Sequence, residues 1–343
     1  MLILTNKNMI NTRIISNMLL LSLFLIIGCK QNNPSNNNKN LSDVESRGFK
    51  GNVKSYISKS YEVENYKFGE PQFRLNSSEI INYNRYGFRT ERESKYESKY
   101  YKNYFKESFK YSNPELGIIL NRKYESTSSD FDSNKEDNRN YYSQSFVYDT
   151  ISNKIMERKT INVKDNTSNL IIYRYNENEV RISNYNNITN ELVDLTIEKL
   201  DYKGDLISSI EYDNKGNENK ERYVLKLKNG LIKDSLVHRY SDKKIMFIYV
   251  STKDDLGRDI KYKNYGNKSD LDRIEGYIIE YDNSDINSSF TKKEFKRNEN
   301  LIFKNIRVNN KYDDNGNVIE VQRLNLDNNK LEEKTVNEFV YYD

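Results

Sequence analysis

Few side chains in this sequence could do chemistry. There is one histidine, His238, and one cysteine, Cys29, among 343 residues. A single histidine cannot build a His-based metal triad or the usual catalytic dyad, so we expect no metal and no cofactor. Asp and Glu are plentiful, with 51 of them, and a pair of carboxylates could hydrolyse a glycoside. Their scattered positions single out no pair, so Cys29 is the most informative reactive group.

Cys29 follows directly on a short, largely apolar segment. Lys7 and Arg13 precede this segment, which runs from Ile14 to Ile27, and Gly28 separates it from the cysteine. A membrane-spanning helix needs roughly 20 apolar residues, whereas this run has the length of the apolar region of a signal peptide. A buried core helix or an uncleaved anchor is the alternative. The segment resembles a bacterial lipoprotein signal with its lipobox, formed here by Leu25, Ile26, Ile27, Gly28 and Cys29.

The resemblance implies that residues 1–28 are a signal peptide cleaved before Cys29, whose thiol carries a diacylglyceryl group. Two or more acyl chains then hold the protein stably on a bilayer. Lys30 stands where an inner-membrane retention signal would be Asp, which favours the outer membrane. Translation could begin at Met1 or at Met9, and the lipobox is retained in either case.

The charge balance excludes an electrostatic partner of one sign. Removing residues 1–28 takes away two positive charges, so the formal net charge falls from +4 to +2. Acidic and basic residues are interspersed, so no single-sign field attracts nucleic acid. After lipidation no cysteine remains for a disulfide.

The rest of the sequence predicts a polar tether followed by a β-rich domain. Residues 29–43 are nearly devoid of apolar side chains after the cysteine and should form a flexible tether. Over 44–343, short runs rich in Tyr, Ile, Val and Phe alternate with clusters of Asn, Asp and Gly, which is typical of strands joined by tight turns. We expect an all-β fold of successive antiparallel hairpins in an extended, twisted, solenoid-like or partly curled sheet.

A degenerate motif recurs in that domain: an aromatic residue, Asp or Asn, two further residues, then Gly and Asn. Glycine permits positive φ, and Asp or Asn can accept hydrogen bonds from the backbone downstream. The spacing of acids around each glycine does not match a calcium-binding loop, so these are predicted turns. The motif is similar to the YD repeats of Rhs-type bacterial surface proteins, which implies hairpin geometry only. The best copies contain Asp213, Gly216 and Asn217, and Asp313, Gly316 and Asn317, with weaker ones beginning at Tyr83, Tyr148, Tyr262 and Tyr281.

Asn229-Gly230 predicts a two-residue type I′ hairpin turn. The resulting register places Leu227 opposite Ile232 and puts His238 opposite Glu221. There we expect an ordinary cross-strand polar contact, with a pH-sensitive pair as the alternative. On this register Leu225 and Tyr223 share a face with Ile232, Asp234 and Leu236.

Two segments allow other interpretations. Residues 91–110 carry aromatic side chains at intervals that suit a helix or two strands, and we favour strands because of their aromatic content. Residues 126–139 are rich in Ser, Asp and Asn and predict an exposed loop.

We therefore expect a lipid-anchored envelope protein with a non-catalytic binding or structural role and an unidentified protein or glycan partner. A secreted glycan hydrolase that uses carboxylates is the first alternative. An accessory or immunity protein of a Rhs-like toxin system is the second.

Overall fold

The computed structural model describes residues 42–98, 101–130, 138–227, 229–239, 245–265, 274–297, 299 and 301–342. Within these ranges the chain forms one short helix, α1 (Asp43–Ser46), and twenty strands. The first ten strands are β1 (Val53–Lys67), β2 (Glu70–Tyr83), β3 (Arg89–Glu97), β4 (Tyr101–Asn113), β5 (Ile118–Asp130), β6 (Asn138–Tyr148), β7 (Ile155–Asn162), β8 (Thr167–Asn176), β9 (Glu179–Asn186) and β10 (Leu192–Leu200). The other ten are β11 (Leu206–Asp213), β12 (Glu218–Lys226), β13 (Ile232–Arg239), β14 (Ile245–Lys253), β15 (Asp259–Tyr265), β16 (Ile274–Tyr281), β17 (Phe290–Lys296), β18 (Ile302–Tyr312), β19 (Val318–Asn325) and β20 (Lys330–Tyr341).

The strands form a closed antiparallel barrel. Each strand pairs with the next in the sequence, and β20 pairs with β1. Ser60 of β1 lies opposite Ser77 on one side and Thr335 on the other. The predicted all-β architecture of successive antiparallel hairpins is confirmed, but the open, solenoid-like or curled sheet is wrong. Closure pairs both edges that an open sheet would leave exposed.

The barrel is hollow. Extensive contacts occur only between strands that are neighbours in the ring. Twenty strands spaced about 4.8 Å apart have a girth of about 96 Å perpendicular to the strands, which corresponds to a circle about 30 Å across. Side chains from opposite walls cannot fill such a space, so the wall encloses a lumen rather than a packed core.

A compact apolar core lies at one end, beneath residues 42–50, which we call the N-terminal plug. Ser42 and Glu45 form a capping box that starts α1. Val44 and Phe49 of the plug pack on the barrel residues Val53, Tyr56, Ile81, Tyr83, Phe339 and Tyr341. Ser42 and Asp43, which we assigned to the tether, thus belong to the folded body.

The plug lies on the concave side of the wall. Val44 N donates to Gly87 O in the β2–β3 turn, and Asn287 Nδ2 donates to Gly48 O from the β16–β17 loop. These two connections are six strand spacings apart, about 29 Å along the wall. Val44 and Gly48 are four residue steps apart, so they span at most about 14 Å. The wall therefore curves around the plug, and the face on which the plug packs is the inner face.

The plug also defines the two ends of the barrel. We call the end that carries the plug the plug end; it holds the turns after the even-numbered strands. The far end holds the turns after the odd-numbered strands. Both Val53 at the start of β1 and Tyr341 at the end of β20 lie at the plug end.

Paired residues in neighbouring strands share a face, so the inner face can be followed around the whole ring. It begins at Tyr56, which pairs with Ile81, and returns to Tyr56 through Phe339. It carries both aromatic and charged side chains. The inner-face aromatic residues of the strands include Phe105, Phe109, Tyr124, Tyr142, Phe146, Tyr173, Tyr175, Phe247, Tyr249, Tyr262, Tyr277, Tyr281 and Phe290.

The two ambiguous segments are both strand-rich. Residues 91–110 lie mainly in β3 and β4, which pair with each other, so the strand prediction is confirmed. The loop prediction for 126–139 is wrong at both ends. There β5 continues to Asp130 and β6 begins at Asn138, because regular pairing with neighbouring strands outweighs a low β-propensity.

Candidate functional site on the inner wall of the barrel

Two tyrosine pairs lie on opposite sides of the inner wall. The rings of Tyr124 on β5 and Tyr142 on β6 are 4.5 Å apart between centroids, with planes at 15°. The rings of Tyr262 on β15 and Tyr277 on β16 are 5.2 Å apart at 18°. The two pairs are ten strands apart in a ring of twenty, so the pairs face each other across the lumen.

The second pair is part of a longer aromatic row. Tyr249 lies 5.9 Å from Tyr262, and Phe247 lies 4.6 Å from Tyr249. Lys292 Nζ is 4.3 Å from the centroid of the Tyr277 ring, within cation–π range. Burial raises the pKa of both Tyr262 and Tyr277, so the hydroxyls remain neutral hydrogen-bonding groups.

On the same side of the barrel as Tyr124 and Tyr142, a buried carboxylate lies beside two arginines. Glu107 on β4 is 1 % exposed and its carboxylate lies 2.5 Å from Arg122 Nε and 3.8 Å from Arg89 Nη1. The contacts are close, but neither carboxylate oxygen has hydrogen-bond geometry. Both guanidinium groups also lie over the Phe109 ring, at 5.0 and 5.6 Å. Arg89 Nη2 also lies 3.8 Å from Asp43, so two carboxylates balance the charges of the two arginines.

A second polar region lies on β10 to β13. Arg222 is bonded to Asp234 through Nε at 3.0 Å and Nη2 at 2.7 Å. Glu198 lies nearby on β10, and burial raises the pKa of its carboxyl, with the positive charge of Arg222 opposing this shift. Lys220 Nζ donates to both carboxylate oxygens of Glu211 at 2.8 Å.

His238 lies in the same region, but not opposite Glu221 as predicted. It pairs with Lys220 on β12, while its ring is 4.2 Å from that of Phe247 on β14. Burial and the charge of Lys220 lower the pKa of its imidazole. The proposed His–Glu pair is therefore not formed.

The register error arises at the turn containing Asn229 and Gly230. Leu227 N donates to Leu231 O, and Gly230 N donates to Leu227 O. Gly230 has φ +82, and Lys226 lies opposite Ile232. A two-residue turn would place Leu227 opposite Ile232, so the observed pairing corresponds instead to a three-residue loop that ends with Gly230 in the left-handed conformation.

One extra loop residue moves β13 by one position. Tyr223 lies opposite Ser235, and Leu225 lies opposite Lys233, on the outer face. The predicted shared face with Ile232, Asp234 and Leu236 is wrong, because a one-residue shift turns every side chain of a strand to the other face.

The repeated motif forms the same three-residue loop. In the copy at the far end, Asp213 N donates to Asn217 O and Gly216 N donates to Asp213 O. The Asp213 side chain accepts hydrogen bonds from the Asn217 side chain and backbone N–H and from Lys215 N, which lower the pKa of its carboxyl. Gly216 and Gly316 both have φ +80. Asp213, Gly216, Asn217, Asp313, Gly316 and Asn317 therefore lie in turns.

Asn317, at the plug end, does more than complete its turn. It is 0 % exposed; its Oδ1 accepts from Lys50 N at 2.6 Å, and its Nδ2 donates to Lys50 O at 2.8 Å and to the Tyr341 hydroxyl at 2.7 Å. Burial tends to raise the pKa of Asp313, but hydrogen bonds donated by Tyr341 and Asn317 outweigh this and lower it. Asn317 thus fixes the plug to the barrel, a role that the motif alone did not reveal.

The lipobox residues Leu25, Ile26, Ile27, Gly28 and Cys29 lie outside the described residues, as does the end of the weaker motif at Tyr262. No helix among the described residues is long and apolar enough to cross a membrane. Within the same ranges, no group of three or more His, Cys, Asp or Glu side chains is arranged to hold a metal ion.

Comparison with known proteins gives no family. No family model matches the sequence, and no curated protein is similar to it. Among solved structures, a porin-like protein from Bacteroides uniformis has 8% identity and a TM-score of 0.25, covering 85% of this chain and 98% of that chain. A porin-like protein from Bacteroides vulgatus has 9% identity and a TM-score of 0.20, covering 84% and 98%. A TcdB2-TccC3-Cdc42 structure has 9% identity and a TM-score of 0.20, with 80% of this chain and 19% of that chain covered.

Proposed function

We propose that this chain is a bacterial envelope lipoprotein whose barrel binds a glycan in its lumen. The observation that carries the proposal is the hollow ring with tyrosine pairs on opposite walls. Flat aromatic faces suit the apolar faces of sugar rings, and the ion-paired side chains between them supply hydrogen-bonding groups for hydroxyls. The inner wall offers both along a path long enough for an oligosaccharide.

The composition of the outer face supports a position beside a membrane rather than within it. Charged side chains occur on the outer face of strands throughout the ring, including Lys95, Lys123, Lys159, Lys233 and Lys334. On the lipid-facing side of a barrel each lysine costs about 2–4 kcal/mol near the bilayer centre. An outer wall of this kind favours water, so attachment would depend on the lipid at Cys29.

The anchor is tested by replacing Cys29 with Ala. In the host bacterium the wild-type protein should incorporate a clickable palmitate analogue and sediment with membranes, whereas the variant should do neither. A Ser42→Ala variant, which leaves the cysteine in place, is the control. Membrane labelling that persists in the Cys29 variant would refute lipid attachment at this residue.

Glycan binding is tested by titrating the soluble domain with chitohexaose in a calorimeter. We expect Tyr262→Ala to weaken binding about fivefold to tenfold, since an aromatic contact contributes roughly 1 kcal/mol. Tyr223→Ala is the matched control, because Tyr223 is 47% exposed on the outer face. Equal effects of the two substitutions would contradict binding on the inner wall.

Glycan hydrolysis is the second candidate function. Glu198 lies opposite Ser209 and Glu211 lies opposite Thr196, so the two acids are diagonal neighbours on the inner face. Such diagonal positions are about 7–8 Å apart, with their Cβ atoms somewhat closer, so the two side chains can bring their carboxyl groups to the separation of about 5–10 Å found in glycosidases. The raised pKa of Glu198 suits a general acid. Release of reducing ends from chitohexaose that stops in Glu198→Gln would favour hydrolysis over binding alone.

A further inference from the structure

Arg158 occupies an unusual position on the inner wall. It lies on β7, opposite Phe146 of β6 and Ile171 of β8. Both cross-strand neighbours are apolar, so neither supplies an acceptor. The residue as a whole is half-buried, and because it lies on the inner face its exposed part faces the lumen.

Other arginines of the inner face have a carboxylate partner. Arg92 lies 2.7 Å from Glu79 and Arg222 lies 2.7 Å from Asp234. Arg122 is held by Glu107 in the cluster described above. No carboxylate among the described residues lies within ion-pair distance of Arg158, and its Nε is buried without a hydrogen-bond acceptor.

Two tyrosines of the inner face are affected by the charge of this cation. Burial raises the pKa of both Tyr124 and Tyr173, and the positive charge of Arg158 opposes the rise in each case. The register agrees for Tyr173, which is a diagonal neighbour of Arg158 because Arg158 pairs with Ile171. On its other side β7 pairs with β6, which carries Tyr142 of the first tyrosine pair, so the unpaired cation lies on the strand next to one of the two aromatic surfaces to which we assign glycan binding.

We propose that Arg158 is the anion subsite of the lumen and selects a glycan that bears a carboxylate or phosphate group. This inference rests on the proposed glycan-binding function. A partly buried cation without a counter-charge is costly, and an anion brought by the ligand would remove that cost. The planar guanidinium can bind either anion through two parallel hydrogen bonds, while the neighbouring tyrosines contact the sugar ring.

The test compares hexagalacturonate with its fully methyl-esterified form, which has the same rings but no charge. The wild-type domain should bind the acid at least tenfold more tightly than the ester, because charge-assisted hydrogen bonds are about twice as strong as neutral ones. Arg158→Gln should abolish this preference without changing the affinity for the ester. Arg174→Gln on the outer face of β8 is the matched control and should leave the preference intact.

Competition by inorganic phosphate distinguishes the two anions. Displacement of hexagalacturonate by phosphate from the wild type, but not from an Arg158→Lys variant, would assign the subsite to phosphate as well as carboxylate. Failure of phosphate to compete would assign it to carboxylates. Unfolding curves of each variant exclude loss of the fold as the cause.

Separate results overturn the two proposals. A wild-type domain that binds chitohexaose but shows no preference for the acid over the ester would refute the anion subsite and leave glycan binding intact. A preference that survives in Arg158→Gln would also refute it. Absence of binding to all three sugars would refute both.

Discussion

Replacing Asn317 with Ala should detach the plug and destabilise the barrel. The side chain makes three hydrogen bonds, two to the backbone of Lys50 and one to Tyr341. Each contributes about 1 kcal/mol net, and the backbone groups of Lys50 would be left with unsatisfied hydrogen bonds in a buried position. We therefore expect the free energy of unfolding to fall by about 2–4 kcal/mol.

The repeated motif supplies a matched control for this substitution. Asn217 occupies the same motif position at the far end, but its side chain bonds only within its own turn, to Asp213 at 2.9 Å. Asn217→Ala should therefore cost less than about 1 kcal/mol. Urea unfolding followed by circular dichroism measures both values.

Limited trypsin digestion gives an independent measurement of plug release. Cleavage after Arg47 and Lys50 should be faster in Asn317→Ala than in the wild type or Asn217→Ala, because protease needs a detached segment. Equal destabilisation by the two substitutions, or unchanged cleavage, would show that Asn317 acts only within its turn and that our account of the plug is wrong.

Three further predictions concern the wall and its turns. Gly230→Val should cost about 1–2 kcal/mol in urea unfolding purely through positive φ, since no atom lies within 4 Å of an added Cβ; an unchanged midpoint would contradict this. Glu107→Gln should cost about 3 kcal/mol because it removes the buried counter-charge of Arg122 and leaves Arg89 with Asp43 alone, and adding Arg122→Met should recover part of the loss; additive effects in the double-mutant cycle would argue against the cluster. Burial raises the pKa of Glu198 in the folded protein. At a pH above this raised pKa, the buried negative charge lowers the free energy of unfolding. This destabilisation disappears as the pH falls towards 4.5, the ordinary pKa of the carboxyl, because the group is then protonated in both states. Glu198→Gln should therefore be more stable than the wild type at neutral pH, with the difference vanishing near pH 4 in a series of thermal melts; a constant difference would contradict the assignment.

Local sequence patterns were sufficient to predict the strands and turns. They were not sufficient to predict that the sheet closes into a barrel. Short runs rich in Tyr, Ile, Val and Phe, separated by clusters of Asn, Asp and Gly, identified antiparallel hairpins. Pairing of β1 with β20 joins residues such as Ser60 and Thr335 across almost the whole domain. No local pattern encodes such a contact, because closure depends on the accumulated twist and tilt of all twenty strands.

The strand register was the second feature that could not be predicted from the sequence. Asn229-Gly230 is compatible with a two-residue and a three-residue loop, and the observed pairing of Lys226 with Ile232 decides between them. The plug had a signal that we did not use: Ser42 and Glu45 have the spacing of a capping box and flank Val44, the first apolar residue of the domain. The unpaired charge of Arg158 could not have been found from the sequence, since its cross-strand neighbours depend on the register.

The pairing of the first strand with the last has a consequence for how the chain is made. Synthesis delivers β1 first, and its partner β20 only after some 260 further residues have followed. Until then β1 exposes one unpaired row of backbone amides and carbonyls that any other extended chain could bind. The nascent protein is therefore most prone to misassembly just before its final strand arrives, and folding assistants that shield strand edges should matter most at that stage.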